Sequence, residues 1–166
     1  MTLIHAIVLA GGRGSRMGGV DKGLQLLDGR PLAAHVIAGL SPQVDRVRVS
    51  ANRNLDAYAA LGPPVLADPP GLEFAGPLAG MLAGLQAIPG DAWLLTAPCD
   101  CPRLPPDLAV LMVGIAARQA ASPTALVQGR LPSITLQRAW FAPAHGTFNL
   151  AVAEMLAASP MREPEK

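Results

Sequence analysis

An apolar run over residues 3–10, broken only by His5, leads straight into Gly11-Gly12-Arg13-Gly14-Ser15-Arg16-Met17-Gly18-Gly19-Val20-Asp21-Lys22-Gly23. The run has the length and the Ile/Val/Leu content of a buried strand. A buried strand that opens into such a loop limits the folds available, because the loop must stay at the surface while its strand sits in the core. Glycines let backbone N–H groups come close to an anion, and a concave run of such groups attracts negative charge. Arg16 can fork onto phosphate oxygens, and Lys22 can act as a point charge on the same polyphosphate. Two or three glycines after a strand would make an ordinary surface turn. Six of them, with Arg16 and Lys22 among them, point to phosphate.

Two familiar phosphate patterns fail. The dinucleotide fingerprint G-x-G-x-x-G starts at Gly12 and Gly14, but Met17 stands where the third glycine belongs. A P-loop needs Gly-Lys-Ser/Thr, whereas here Lys22 precedes Gly23 and Leu24.

The rest of the chain alternates strand and helix patterns. Short strands are expected over residues 24–27, 44–51, 65–67 and 92–97, with helices over 32–40, 55–61, 77–88 and about 107–118. Asp28-Gly29 is a turn signal, and Pro31 suits the first turn of the helix after it. Residues 69–76 read as a loop. Residues 124–127 and 131–136 give two more strand-like pieces, and 139–157 is helical in pattern with a break at 143–146. The tail after Pro160 is polar and loose. Alternation of this kind is the pattern of an α/β fold, a mostly parallel doubly wound sheet in three layers, whose ligands lie at the carboxyl ends of the strands. Gly11, Ser50-Ala51-Asn52, Asp68 and Asp100 all fall at such ends.

The 166 residues suffice for one domain with a sizeable core. With 15% charged residues and a formal net charge of +1, nothing resembles a nucleic-acid-binding surface. Cys99 and Cys101 are too close for ordinary disulfide geometry and fit a reducing cytoplasm. Zinc needs four ligands, and no second cysteine pair exists. The first apolar run is short and lacks a basic leader, so it reads as a strand rather than a signal peptide. No stretch has the ~20 apolar residues of a membrane helix.

Asp100 is the sharpest candidate for chemistry. It sits in Pro98-Cys99-Asp100-Cys101-Pro102, directly after an apolar strand. A turn aspartate often bonds only its own backbone. One carboxylate beside bound phosphates is, however, what Mg²⁺ takes, since that ion keeps its remaining positions for phosphate oxygens and water. Asp68 follows a short strand in the same way. Asn52 could read a base edge or cap the next helix. His5, His35 and His145 stand alone and read as structural or solvated.

The glycine-rich stretch resembles the nucleotidyltransferases that move a nucleoside monophosphate from a nucleoside triphosphate, and among them molybdenum cofactor guanylyltransferase. That family reads A-G-G-x-x-x-R-M-G-G-x-D-K-G-L, then a short strand and G-x-P-L. Ala10, Gly11, Gly12, Arg16, Met17, Gly18, Gly19, Asp21, Lys22, Gly23 and Leu24 match, followed by Gly29, Pro31 and Leu32. Gly76-Pro77-Leu78-Ala79-Gly80 matches the family's G-P-L-A-G, and the Pro-Cys-Asp turn matches at Asp100.

The resemblance implies a single Rossmann-like nucleotidyltransferase domain over residues 1–166, with a C-terminal part shorter than the family's usual one. It implies transfer of GMP from GTP to molybdopterin cofactor, with Mg²⁺, to give the guanine dinucleotide and pyrophosphate, and delivery to a molybdoenzyme or its chaperone. Nucleotide contacts are implied for Leu9, Ala10, Gly11, Gly12, Arg16, Gly19, Lys22, Ser50, Asn52, Asp68, Gly80 and Asp100. Arg16, Lys22 and Asp100 are the catalytic set, and Asp100 holds the metal. Ser50 stands where the family has asparagine. Leu131 stands where a basic residue often precedes the family's proline near the second substrate. The family's Phe-x-Asn-x-Asn-Thr-Pro strand is represented only by Thr147-Phe148-Asn149-Leu150. Two rivals remain: a transferase of the same fold using CTP or a sugar phosphate, and a non-catalytic GTP- or cofactor-binding partner.

Overall fold

The structure is a computed structural model describing residues 3–12, 19–89, 92–112, 125–126, 130–131, 134–135 and 140–143. Strand β1 (Ile4–Leu9) is the expected buried run, and everything else packs around it. A 3₁₀ turn, Lys22–Leu24, then leads into β2 (Leu26–Leu27), β3 (Arg30–Pro31) and helix α1 (Leu32–Leu40). Next come β4 (Arg46–Ser50), α2 (Leu55–Ala59), β5 (Val65–Leu66), α3 (Pro77–Gln86) and β6 (Trp93–Pro98). Residues 108–112 are helical. The short strands β7 (Ala125–Leu126), β8 (Arg130–Leu131), β9 (Ile134–Thr135) and β10 (Trp140–Pro143) complete the described elements.

Six strands form one sheet in the order β5-β4-β1-β6-β10-β7. β1 pairs in parallel with β4 and β6, β4 pairs in parallel with β5, and β10 runs antiparallel to β6 and β7. The expected α/β fold with a mostly parallel sheet is therefore the observed one.

Side chains of a strand alternate between faces, and β1 divides the core accordingly. Ala6 and Val8, with Leu95 and Ala97 of β6, pack on Val36, Ile37 and Leu40 of α1 and on Leu108 and Met112. Ile7, with Leu94 of β6, packs on Leu82 and Leu85 of α3. Helices thus cover both faces of the sheet.

α3 lies close to the sheet because Gly80 and Gly84 face it. A Cβ on Gly84 would stand 3.0 Å from both Ile7 Cδ1 and Leu94 Cδ2. A Cβ on Gly80 would collide with Ser50 Oγ and stand 3.0 Å from Leu9 Cδ2.

Three expectations need correction. The strand expected over residues 24–27 is only Leu26–Leu27, because Leu24 closes the 3₁₀ turn and Gln25 caps it; Asp28 and Gly29, both at positive φ (52° and 75°), then fold Arg30–Pro31 back onto it. Both residues of a type I′ hairpin turn need that conformation, which Asp-Gly supplies. Residues 131–136 are likewise not one strand, since Arg130–Leu131 pairs antiparallel with Ile134–Thr135. The helical pattern over 139–157 begins instead with β10, where Trp140 pairs with Thr96 and Phe141 with Leu95. The aromatic residues favour a strand, and Pro143 stands at its last position, where a missing N–H disrupts least. The remainder of that pattern, residues 113–118 of the helix expected over 107–118, His145 and the tail lie outside the described residues.

His5 is buried on β1, and its Nδ1 lies 3.0 Å from an Arg48 guanidinium nitrogen. Arginine can only donate, so Nδ1 accepts and the imidazole is neutral. Burial first, then the Arg48 charge, pushes the His5 pKa below its ordinary value, with Arg46 adding to the effect and Asp45 opposing it. No helix among the described residues is long and apolar enough to cross a membrane.

Two outcomes follow from this packing. Gly84→Val should cost about 1–3 kcal/mol through overpacking, read as a melting temperature several degrees lower; an unchanged value would contradict the close α3 contact. The unfolded chain binds the His5 proton more readily than the folded one, so stability should be full above the ordinary histidine range and fall as pH drops through it. Denaturant unfolding followed against pH should show that fall, and His5→Gln should flatten it.

Candidate active site

The parallel register brings the carboxyl ends of four strands to one edge. Leu9 of β1 stands beside Ser50 of β4 on one side and Pro98 of β6 on the other. Ala10 N donates to Ser50 O at 2.8 Å, Cys99 N to Leu9 O at 3.1 Å, and Ala51 N to Leu66 O at 2.9 Å. The loops that leave these ends carry Gly11 and Gly12, Asn52, Asp68 and Asp100. The expected placement of these residues at strand ends is the observed one, and the register makes those ends neighbours.

Lys22 and Asp100 meet at this edge. Lys22 Nζ lies 3.6 Å from Asp100 Oδ2, with the two side chains 46% and 31% exposed. An ion pair that open contributes little to stability. Its two groups remain accessible to a ligand, and Gly12, in the loop after β1, faces open space.

The polar groups of the neighbouring loops are occupied by one another. Asn52 Nδ2 donates to Asp68 Oδ2 at 2.5 Å and to Gly11 O at 3.4 Å. Asp68 N donates back to Asn52 Oδ1 at 2.9 Å, and Phe74 N donates to Asp68 Oδ2 at 3.0 Å. Asn52 neither caps α2, whose N-cap is Asn54, nor points away from the chain. It ties the loop after β1 to the loop after β5, and Asp68 pins the start of the 69–76 loop to Phe74. Ser50 is buried beneath Gly11 and against Gly80.

Asp21, Arg53, Asn54 and Tyr58 form a second cluster that the sequence patterns did not single out as a unit. Tyr58 Oη donates to Asp21 Oδ1 at 2.5 Å and Asn54 Nδ2 to Asp21 Oδ2 at 2.9 Å. Arg53 donates to the carbonyls of Gly19 (2.7 Å) and Val20 (3.1 Å). The available signal was that Tyr58 is the chain's sole tyrosine, one helical turn after a polar Asn-Arg-Asn run. Burial and the Asp21 carboxylate hold the Tyr58 hydroxyl protonated.

The chemistry of the donors limits which metal fits. No group of three or more His, Cys, Asp or Glu side chains among the described residues has metal-binding geometry. Burial, then the neighbouring negative charge of Asp100 and Asp21, pushes the Cys99 thiol up to about 12, so it stays protonated and is a poor ligand. Among the described residues, the accessible carboxylate beside the phosphate-seeking lysine is Asp100. A hard divalent ion sharing its coordination with substrate phosphates fits such a donor set, and a zinc cage does not. Of the expected nucleotide contacts, the structure brings Leu9, Ala10, Gly11, Gly12, Ser50, Asn52, Asp68 and Gly80 to the strand edge or directly beneath it. It places Gly19 at the exit of the glycine-rich loop, anchored by Arg53. Arg16 lies outside the described residues.

Comparison with known proteins identifies the architecture. A model of the MobA-like NTP transferase domain matches residues 6–150. A molybdenum cofactor guanylyltransferase from Acidovorax ebreus is 56% identical over 119 residues, covering 71% of this chain and 55% of that protein. The chain thus spans about half the length of the curated relatives it matches. Among solved structures, molybdopterin-guanine dinucleotide biosynthesis protein A from Archaeoglobus fulgidus superposes with a TM-score of 0.63 at 22% identity, covering 93% of this chain and 72% of that one. A Mycobacterium tuberculosis protein solved in complex with manganese superposes with a TM-score of 0.62 at 18% identity, covering 92% and 75%. These two structures share the fold. The family match spans both the glycine-rich loop and the turn bearing Asp100, and on it the chain belongs to the MobA-like NTP transferase domain family.

Proposed function

We propose that this chain is one nucleotidyltransferase domain that transfers GMP from GTP to molybdopterin cofactor, releasing pyrophosphate and forming molybdopterin guanine dinucleotide. The observation that carries the reading is the accessible Lys22–Asp100 pair, 3.6 Å apart beside the glycine-rich loop at the strand edge. Relatives above half identity bear the guanylyltransferase name, which supports GTP and molybdopterin as substrates. The product would pass to a molybdoenzyme or its chaperone, and the cysteine pair Cys99 and Cys101 suits a reducing cytoplasm.

In the proposed reaction, a phosphate oxygen of the pterin attacks the α-phosphorus of GTP in line. A new P–O bond forms as the bond to the β-phosphate oxygen breaks, and pyrophosphate leaves with the electron pair. Such chemistry rests on positioning and charge stabilisation. Backbone N–H groups of Gly11 and Gly12 face the triphosphate, and Arg16 takes its β- and γ-phosphates. Lys22 leaves Asp100 for the phosphate oxygens, where its charge matches the negative charge that grows on the leaving group. Asp100 would hold Mg²⁺, which when bound neutralises and orients the triphosphate. Gly80, whose bare backbone packs on Ser50 and Leu9, holds the start of α3 against the strand edge where the guanosine would lie. Asn52, Asp68 and Ser50 set the walls of the site.

The test is pyrophosphate release from GTP in the presence of Mg²⁺ and molybdopterin cofactor. The parent chain should turn over, and Asp100→Ala should lower the rate about 100-fold or more. Turnover with CTP in place of GTP would move the chain to another transferase of this fold. Binding of GTP without turnover would make it a binding partner.

A further inference from the structure

We infer that Tyr58 is a positioning residue, whose hydroxyl acts through Asp21 to fix Lys22 where it faces Asp100. The inference rests on the proposed role of Lys22 as the charge that meets the triphosphate.

Lys22 is bracketed by two residues that both rest on Tyr58. On its N-terminal side, Asp21 receives the Tyr58 hydroxyl on Oδ1 and Asn54 Nδ2 on Oδ2, and Arg53 Nε faces the same Oδ2 at 3.7 Å. On its C-terminal side, Gly23 is buried against the tyrosine ring. A Cβ there would collide with the Tyr58 hydroxyl and stand 3.1 Å from two ring carbons. Leu24 N donates to Asp21 O at 3.2 Å and Gln25 N to Lys22 O at 3.1 Å, closing the 3₁₀ turn around the lysine.

The anchor is firm because Tyr58 is fully buried among core residues that include Val49, Ala97 and Cys99. Those residues come from β4, from β6 and from the turn that presents Asp100. One side chain therefore references Lys22 to the framework that carries its partner. A hydroxyl donating to a carboxylate is among the stronger hydrogen bonds, and here the tyrosine ring shields it from water. The lysine stem is long and its end is exposed, so the main chain sets where the ammonium can reach. Small displacements of a reacting or charge-stabilising group cost rate steeply.

The sequence supplies a clean probe, because Lys22 and Lys166 are the only lysines. Chain labelled with ¹³C,¹⁵N-lysine gives two side-chain signals, and Lys166 serves as the internal reference. In the ligand-free parent, Asp100→Asn should shift the Lys22 signal. Tyr58→Phe keeps the ring and loses only the hydroxyl. In that background the Lys22 signal should already be displaced, and the Asp100→Asn shift should shrink by about half or more. Asn54→Gly keeps the left-handed backbone of Asn54 and removes its amide, and should give a smaller displacement of the same kind.

Affinity for Mg²⁺–GTP should fall about tenfold in Tyr58→Phe and show no further fall when Tyr58→Phe is added to Lys22→Met. Unmoved Lys22 signals in both Tyr58→Phe and Asn54→Gly, or fully additive losses with Lys22→Met, would overturn the inference and leave Tyr58 a core residue. A displaced Lys22 signal in a chain that does not bind GTP would uphold the positioning role while sinking the proposed function.

Discussion

The parallel pairing of β1 with β4 on one side and β6 on the other is the constraint from which the site follows. Parallel strands must all end on the same edge, and they can lie side by side only if long crossovers return the chain to the far edge each time. Helices α1 and α3 belong to those crossovers, and their apolar faces cover the two sides of the sheet. With β1 in the middle, the loops after β1, β4 and β6 have nowhere to leave but next to one another. The match of Leu9 to both Ser50 and Pro98 in register is what sets Gly11, Asn52 and Asp100 within reach of a common ligand.

Two kinds of polar group occupy that edge, and burial separates their roles. Asp68 is buried and Asn52 half-buried, and the hydrogen bonds they exchange leave few of their polar atoms unmatched. Asp21 is likewise held through both carboxylate oxygens. Such groups shape the loops. Lys22 and Asp100, by contrast, meet only in a partly exposed ion pair, whose low net worth makes it easy to exchange for a ligand. Chemistry is therefore assigned to the loosely held pair and architecture to the tightly held ones.

The sequence made the central strand, α1 and the Asp100 turn legible because each is local: an apolar run, a helical spacing, a proline-bounded turn after a strand. Asp28-Gly29 announced its turn, but the two-residue strands it joins are too short to show a period. β10 was hidden because pairing with β6 decides its conformation, and that partner lies more than 40 residues away. The roles of Asn52 and Tyr58 were hidden for a related reason. Asn52 looked like a contact or a cap until Asp68 was seen to claim it, and Tyr58 reaches Asp21 across 37 residues of sequence. Motif residues declare a type of chemistry, whereas the residues that hold them in place declare themselves only through folding.

If Lys22 and Asp100 serve one polyphosphate–metal site, both must contribute to nucleotide binding, Asp100 through the metal and Lys22 through its own charge. The most direct measurement is calorimetric titration of GTP into the parent chain, Lys22→Met and Asp100→Asn, each with Mg²⁺ and with a chelator. The parent should bind GTP more tightly with Mg²⁺ than without. Asp100→Asn should lose that metal dependence, and Lys22→Met should bind more weakly while keeping it. GTP binding indifferent to the metal and to both substitutions would contradict a shared site at the Lys22–Asp100 pair.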